Sequence, residues 1–192
     1  MDHRGRPGTG HGTVPLTRRV CVVGNGGNGK STFSDRLGEL TGLEVTHLDR
    51  LLWRPGWARV PVPEFLAAHD AVMARPEWII DGLAVVDSIP RRMAIADTIF
   101  FLDHPLPLSL WWAMKRQVRY AFRPSPDLAN PLLGVTFKMA ATIWRVHNQL
   151  RPSLLDWSAQ ARLRGATVHH FRMPRDSREF LSQLEVRTRR KR

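Results

Sequence analysis

The sequence predicts one α/β domain built around a parallel β-sheet. Short apolar runs alternate along its 192 residues with segments of helical periodicity, and neither an internal repeat nor a clear linker interrupts them. A glycine-rich loop separates the first strand from the first helix. The hydrophobic content of 43% is sufficient for a sizeable core.

The first strand, 19–23, and the first helix, Lys30 to about Thr41, flank the sequence GNGGNGKST. A G-x-x-x-x-G-K-[ST] match in this context predicts a P-loop, in which backbone N–H groups and a helix N-terminus surround phosphate. The alternative is a glycine-rich turn that binds nothing. Lys30 would reach the β- and γ-phosphates, Ser31 would bind Mg²⁺, and Thr32 would bond a phosphate oxygen. The predicted cofactor-binding residues of the loop are Gly24, Asn25, Gly26, Gly27, Asn28, Gly29, Lys30, Ser31 and Thr32.

Aspartates stand at the carboxyl ends of the next three predicted strands, at the sheet edge where α/β proteins bind ligands. Asp49 follows strand 44–48 and is predicted to face a substrate, although a turn or helix-capping role is the alternative. Asp81 is in the last part of strand 77–82, and Asp103 follows strand 97–102. Either could hold a water of a bound Mg²⁺, and the residues alone leave the choice between them open.

Helices alternate with these strands. Segment 51–63 is expected to be irregular, and helices are predicted from Pro63 and from Ser88. A long helix from Leu106 places Arg116, Arg119 and Arg123 on one face, where they could clamp a γ-phosphate or form a solvated basic face.

After this helix, the sequence predicts a breaker loop at 123–127, a helix at 132–150 and a further helix capped by Ser153. A strand at 167–171 follows, and then a last helix from Asp176, with Glu179 completing a capping box.

The charge and the termini limit the function classes. The net charge of +12 attracts nucleotides, nucleic acids and acidic membranes. Segment 1–17 is expected to be a disordered tail, and 187–192 a basic tail. The single cysteine, Cys21, excludes an internal disulfide and fits a reducing compartment. No uncharged stretch is long enough to span a bilayer, so a cytoplasmic protein without a membrane partner is expected.

Several segments together resemble a known family: CVVGNGGNGKST, VTHLDRLLWRPGW, EWIIDG and ADTIFFLD, followed by an arginine-bearing helix. They look like the small P-loop proteins called DNA topology modulation proteins, which are similar to adenylate kinases. The resemblance covers about 18–184. It implies a three-layer P-loop NTPase fold with strand order 2-3-1-4-5, a domain at 18–186 and a helical lid at about 116–151.

The resemblance also implies roles for residues. It favours Asp81 as the acid beside the metal, because EWIIDG resembles the DG that ends the third strand of adenylate kinase-like folds, a strand that neighbours the P-loop strand. Arg116 and Arg119 resemble the arginines that begin the lid, Arg145 or Arg151 those that return from it, and Pro174 lies in a stretch resembling the loop behind the adenine. Gly82 is followed by Leu-Ala-Val, where adenylate kinases have Phe-Pro-Arg and the topology proteins Asn-Tyr, so AMP cannot be assigned as the acceptor.

The sequence thus predicts an ATP- and Mg²⁺-dependent phosphotransferase, acting as a monomer or homodimer. Its partners would be a nucleoside triphosphate and a small-molecule or nucleotide acceptor. The predicted catalytic residues are Lys30, Asp49, Arg116 and Arg119, and the predicted metal-binding residues are Ser31 and Asp81. The alternatives are a nucleotide-dependent DNA-binding protein and an NTP-binding protein with slow hydrolysis.

Overall fold

The computed structural model describes residues 18–54, 58–122 and 132–190, with only the backbone of 119–122 and 132–136. The tail 1–17, the breaker loop 123–127, Trp57 and Arg123 lie outside the described residues. The strands are β1 (Arg19–Gly24), β2 (Val45–His47), β3 (Trp53–Arg54), β4 (Ala58–Arg59), β5 (Trp78–Asp81), β6 (Thr98–Leu102) and β7 (Thr167–Phe171). The helices are α1 (Lys30–Thr41), α2 (Leu48–Leu52), α3 (Val62–Met73), α4 (Ser88–Ile95), α5 (Leu106–Phe122), α6 (Leu132–Arg145), α7 (Arg151–Leu163) and α8 (Pro174–Arg189), with a π-helical turn, Val146–Leu150, between α6 and α7.

Five strands form one parallel sheet in the order β2-β5-β1-β6-β7. Counting only the strands of this sheet, the order is 2-3-1-4-5, so the predicted fold is confirmed. Cys21 at the centre of β1 pairs with Ile80 of β5 on one side and with Ile99 of β6 on the other. The carboxyl ends of β5 and β6 therefore flank the point at which the glycine loop leaves β1.

Helices cover both faces of the sheet, because β1 is apolar on both sides. Cys21 and Val23 pack into a core with Met93 of α4 and Leu154 of α7. Val20 and Val22 face the other side, where Phe33 and Leu37 of α1 and Phe180 of α8 close a second core. This arrangement is the predicted three-layer α/β architecture.

Two segments differ from the sequence-based expectation near the second strand. Asp49 does not lie just beyond a strand but inside the short helix α2, which begins directly after His47. The segment expected to be irregular contains β3 and β4, which pair antiparallel through Trp53 with Arg59 and Arg54 with Ala58.

The helices around residue 150 also differ from the prediction. The chain does not break between 132–150 and the helix expected from Ser153; it continues through the π-helical turn into α7. Pro152, in the first turn of α7, would clash with the preceding turn in an uninterrupted α-helix. The wider turn, in which the Arg151 N–H reaches the carbonyl of Val146, accommodates the proline.

Helix α8 begins at Pro174, two residues before the predicted start at Asp176. Proline suits the first turn of a helix. The Asp176 carboxylate reaches back and accepts the N–H groups of Arg172 and Met173, at 3.1 and 2.9 Å. The helix continues to Arg189, so the first three residues of the predicted basic tail are helical. In the described part of the chain, no helix combines the length and apolar composition needed to cross a membrane.

Candidate phosphate-binding site

The glycines of the loop serve two physical purposes. A Cβ on Gly24 would collide with the carbonyl of Leu102, and a Cβ on Gly27 with the carbonyl of Ser109, so these two allow close packing. Gly29 has φ of +74° and immediately precedes α1, with open space beside it. The loop is thus packed closely against Leu102 and Ser109 on one side and is open at the N-terminus of α1, where an anion is stabilised.

The two asparagines of the loop anchor it. The Asn25 side chain donates to the carbonyl of Ile143 at 2.8 Å and accepts the Gly26 N–H at 2.7 Å. Asn28 donates to the carbonyl of Leu102 at 2.7 Å and accepts the hydroxyl of Ser109 at 2.6 Å. Both side chains are buried and engaged with the protein. Only their backbone groups can therefore take the predicted part in phosphate binding.

Lys30 is the first residue of α1, and its ammonium group lies over the loop. Nζ donates to the carbonyl oxygen of Asn25 at 2.9 Å. Burial lowers the pKa of Lys30, the carboxylates of Asp81 and Asp49 oppose this shift, and Arg116 adds to it. The predicted catalytic residues Lys30, Asp49 and Arg116 are therefore close enough for their charges to interact.

The carboxylate of Asp81 has one occupied and one free oxygen. Oδ2 accepts the hydroxyl of Ser31 at 2.8 Å and lies 2.9 Å from Nδ1 of His47. The other ring nitrogen of His47 lies 2.9 Å from Asp35 Oδ1. Oδ1 of Asp81 is buried and has no hydrogen-bond partner among the described residues. An unpaired buried carboxylate oxygen is costly, and a cation or its bound water would satisfy it.

Both oxygens of Asp103 are engaged by protein groups. Arg151 donates to Oδ1 from Nε at 2.7 Å and to Oδ2 from Nη2 at 2.9 Å, and His170 Nε2 lies 2.8 Å from Oδ2. Burial raises the pKa of Asp103, but the hydrogen bonds from Arg151 and His170 outweigh this effect and lower the pKa overall. Of the two candidate acids, Asp81 is the one with an oxygen left for a ligand.

The other predicted site residues lie around the loop. Asp49 and Arg116 are exposed, and Arg116 reaches Sδ of Met139 at a long 3.9 Å. Arg119 is part of α5, but its side chain lies outside what the structure describes. Arg145, one candidate for a returning lid arginine, is exposed, whereas Arg151, the other, is bound to Asp103.

A cavity of about 370 Å³ opens beside the loop, and Pro174 is one of the residues that line it. Its apolar wall includes Phe33, Trp112 and Leu181, and Thr32 lies at the loop side. Such a volume and lining are typical of small-molecule sites, which span roughly 300–1,000 Å³.

His104 also lines this cavity and was not predicted as a site residue. Its Nε2 is buried without a hydrogen-bond partner among the described residues. Burial lowers the pKa of His104, with Asp103 opposing the shift. Its position just after β6, at the carboxyl edge of the sheet, was a signal that could have identified it.

Comparison with known proteins leaves the family open. No family model matches the chain, and no curated protein matches it. The resemblance to DNA topology modulation proteins therefore stays a prediction.

Solved structures of similar shape include three kinases. They are shikimate kinase from Acinetobacter baumannii in complex with shikimate (18% identity, 89% of this chain and 94% of that chain, TM-score 0.49), a sugar kinase from Janibacter sp. HTCC2649 (16%, 89% and 91%, 0.43) and a gluconokinase from Sinorhizobium meliloti 1021 (16%, 72% and 98%, 0.38). Similarities this distant do not determine the activity of the chain.

Proposed function

We propose that this protein is a P-loop phosphotransferase that binds ATP, or another nucleoside triphosphate, with Mg²⁺ and transfers the γ-phosphoryl group to a small-molecule or nucleotide acceptor. One observation carries the proposal. Ser31 Oγ and Asp81 Oδ2 lie 2.8 Å apart beside the glycine loop, while Asp81 Oδ1 is buried and unpaired in the described structure. A hydroxyl and a strand-end carboxylate in this position are the side chains that P-loop proteins use for Mg²⁺.

The described residues fit the nucleotide and the metal. The open side of Gly29 and the N-terminus of α1 would accept the phosphates, and Ser31 and Asp81 would hold Mg²⁺. The metal would supply neutralisation of phosphate charge. The described chain has no cluster of three or more His, Cys, Asp or Glu side chains suited to a metal. Mg²⁺ at such sites needs few protein ligands, because water and phosphate oxygens complete its shell.

The cavity beside the loop would accept the base and ribose. The cavity of about 370 Å³ adjoins the loop at Thr32, and Phe33, Trp112 and Pro174 offer flat or apolar surfaces for a ring system. We place the nucleoside there, which puts its phosphates toward Gly29 and Lys30.

A lysine, two arginines and an aspartate would take part in catalysis. Lys30 would exchange its bond to the Asn25 carbonyl for bonds to phosphate oxygens. Arg116, together with Arg119, would stabilise charge on the group being transferred. Asp49, which is exposed and acts on Lys30 through its charge, would orient an acceptor hydroxyl or accept its proton.

Product formation tests the proposal directly. The full chain is incubated with Mg-ATP and a panel of nucleosides, nucleotides, sugars and hydroxy acids, and phosphorylated products are detected by ³¹P NMR. We expect product with at least one acceptor. We also expect Lys30→Ala to weaken Mg-ATP binding by roughly ten- to a hundredfold, because a hydrogen bond that involves a charged group contributes about 1.5–3 kcal/mol. Lys138→Ala, at an exposed lysine of α6, is the matched control and should bind like the unaltered chain.

Two results would contradict the proposal. Normal Mg-ATP binding without product from any acceptor class would exclude phosphoryl transfer to small molecules. Equal ATP affinity in Lys30→Ala and Lys138→Ala would mean that the loop is not the nucleotide site.

A further inference from the structure

Helices α5 and α6 carry an apolar surface that the proposed function does not use. Trp111, Met114 and Val118 of α5 and Phe137 and Trp144 of α6 are all exposed, Phe137 by 74% and Trp111 by 63%. We call these five residues the outer face. Monomeric proteins seldom leave a large contiguous apolar patch uncovered without a use for it.

Contacts between the two helices show that they run antiparallel. A Cβ on Gly27 would come within 3.2 Å of Ala113 of α5, and one on Gly26 within 3.1 Å of Ile143 of α6, so both positions are at the loop. One turn further from the loop, Gln117 of α5 contacts Met139 of α6 at 3.4 Å. Residue numbers thus rise along one helix as they fall along the other.

This pairing places the five apolar residues on one side. Met114 and Val118 each follow a contact residue of α5, and Trp144 follows the contact residue Ile143 of α6. One residue is a rotation of about 100° around a helix. In an antiparallel pair, equal rotations in the same sense lead to the same side. Trp111 precedes Met114 by three residues, and Phe137 precedes Trp144 by seven, so helical spacing places each on the same side of its helix as its partner. The outer face is therefore one surface, to the side of the contact between the two helices.

Cations border the outer face. Lys115 and Arg145 follow Met114 and Trp144, and both are exposed. Within the described ranges no carboxylate pairs with either of them. Acids are scarce in this part of the sequence, since Asp127 is the single acid between Asp103 and Asp156. The same interval contains seven cations: Lys115, Arg116, Arg119, Arg123, Lys138, Arg145 and Arg151.

We infer that the outer face binds the surface of an anionic membrane without crossing it. Indole rings favour the headgroup level, and Phe137, Met114 and Val118 would enter the acyl boundary. Lys115 and Arg145 would meet anionic headgroups, each basic residue contributing roughly a fivefold gain in partitioning. The sequence alone predicted no membrane partner, because the apolar residues of α5 and α6 form a single surface only when the two helices pack.

Charge argues against a second copy of the chain, and against nucleic acid, as the partner of the outer face. A symmetric contact with a second copy would bring two chains of net charge +12 together and set cations around the face against their own counterparts. Nucleic acid would be held by cations at the centre of the contact, whereas here Met114, Val118 and Phe137 occupy it.

Vesicle co-sedimentation of the full chain tests the inference. We expect binding to phosphatidylcholine vesicles containing phosphatidylserine, weaker binding to phosphatidylcholine alone, and release by salt. The double variant Phe137→Ser/Trp144→Ser should lose about tenfold or more in partitioning. The variant Lys115→Gln/Arg145→Gln should lose about thirtyfold at low salt.

Matched controls separate the face from general surface effects. Leu163→Ser changes an apolar residue of α7 that is 89% exposed, and Arg175→Gln removes an exposed cation of α8; both should bind vesicles like the unaltered chain. Lys30→Ala should also bind vesicles normally, so a failure of the proposed nucleotide site would not affect this test.

Four outcomes would overturn the inference. They are absence of binding to anionic vesicles, equal binding by the Phe137→Ser/Trp144→Ser and Leu163→Ser variants, a solution dimer that the face variants disrupt, and DNA binding that the same variants abolish. The last two would assign the face to a second copy or to nucleic acid instead.

Discussion

The carboxyl ends of β5 and β6 lie on the two sides of β1, and each is followed or ended by a buried aspartate with a nearby histidine. At β6, Arg151 and His170 occupy both oxygens of Asp103. At β5, Ser31 and His47 share one oxygen of Asp81, and the other has no partner among the described residues. Asp81 and Asp103 thus stand at equivalent strand ends but differ in the side chains that bond to their carboxylates.

We propose that this difference separates a structural carboxylate, Asp103, from a ligand-binding one, Asp81. The Asp103–Arg151 pair fixes the start of α7 to the end of β6, directly after the π-helical turn. A fully bonded carboxylate contributes to stability and has little capacity for a ligand. Asp81 keeps an unsatisfied oxygen beside Ser31, which costs stability in the free protein. The proposed cation would recover this cost on binding.

The largest expected effect separates the two aspartates by metal binding. Asp81→Asn should weaken Mn²⁺ binding in the presence of ADP by about a hundredfold, because it removes the charge that would hold the metal. Asp103→Asn should change this affinity little. Titration followed by electron paramagnetic resonance of free Mn²⁺ measures both. Equal losses in the two variants would mean that neither carboxylate is specific for the metal.

Stability should separate the same two variants in the opposite order. Asp103→Asn leaves the guanidinium of Arg151, which is partly buried, without its counter-charge, and should lower the free energy of unfolding by about 1–3 kcal/mol. Asp81→Asn keeps an oxygen that can accept the Ser31 hydroxyl and removes a carboxylate with one unpaired buried oxygen, so its effect should stay below about 1 kcal/mol. Urea denaturation at pH 7 gives both values. A larger loss for Asp81→Asn than for Asp103→Asn would contradict the assignment of Asp103 to structure.

Local sequence signals predicted most of the fold. Helix α1 ends at Thr41, before Gly42 with φ of +77°, and β7 spans Thr167–Phe171, as the sequence indicates in both places. These bounds depend on residues close in sequence: the glycine at the helix end and the apolar run of the strand. The predicted strand order depended on resemblance to a family, because no local pattern determines which strands are neighbours.

The candidate site was less predictable, because its contacts join distant parts of the chain. His47 meets Asp81 across the β2–β5 register, 34 residues apart, and Arg151 meets Asp103 across 48 residues. Only the resemblance of EWIIDG to a family favoured Asp81, because the residues around Asp103 do not show that Arg151 and His170 would occupy its carboxylate. Trp111 and Trp112 are adjacent in sequence, yet Trp112 lines the cavity and Trp111 is on the outer face, because packing of α5 against the loop decides which side each one faces.

The two histidines extend the comparison with a smaller effect. His47 orients the carboxylate expected to hold the metal, so His47→Ala should weaken Mn²⁺ binding about tenfold, as the loss of an outer-shell partner does elsewhere. His47→Gln, whose amide can still donate to Asp81, should restore part of the affinity. The matched variant His170→Ala removes a donor to Asp103 and should leave Mn²⁺ binding unchanged. Equal affinities of His47→Ala and the unaltered chain would remove His47 from any positioning role.

The smallest effect concerns pH and involves three histidines other than the two just discussed. Burial lowers the pKa of His69, His104 and His169. Below the ordinary histidine pKa of about 6.5, the unfolded chain therefore binds more protons than the folded one, and the free energy of unfolding falls as pH falls. Each such histidine can contribute a slope of at most about 1.4 kcal/mol per pH unit between its lowered pKa and 6.5. His69, which is fully buried and stacked on Phe65, is the clearest case.

Urea denaturation at pH 5, 6 and 7 measures this slope. The unaltered chain should become more stable as pH rises, and His69→Phe, which keeps an aromatic ring in the core but cannot be protonated, should show a shallower rise. An equal slope in His69→Phe would assign the pH dependence to other groups, and a fall in stability from pH 5 to 7 would contradict the direction of all three pKa shifts.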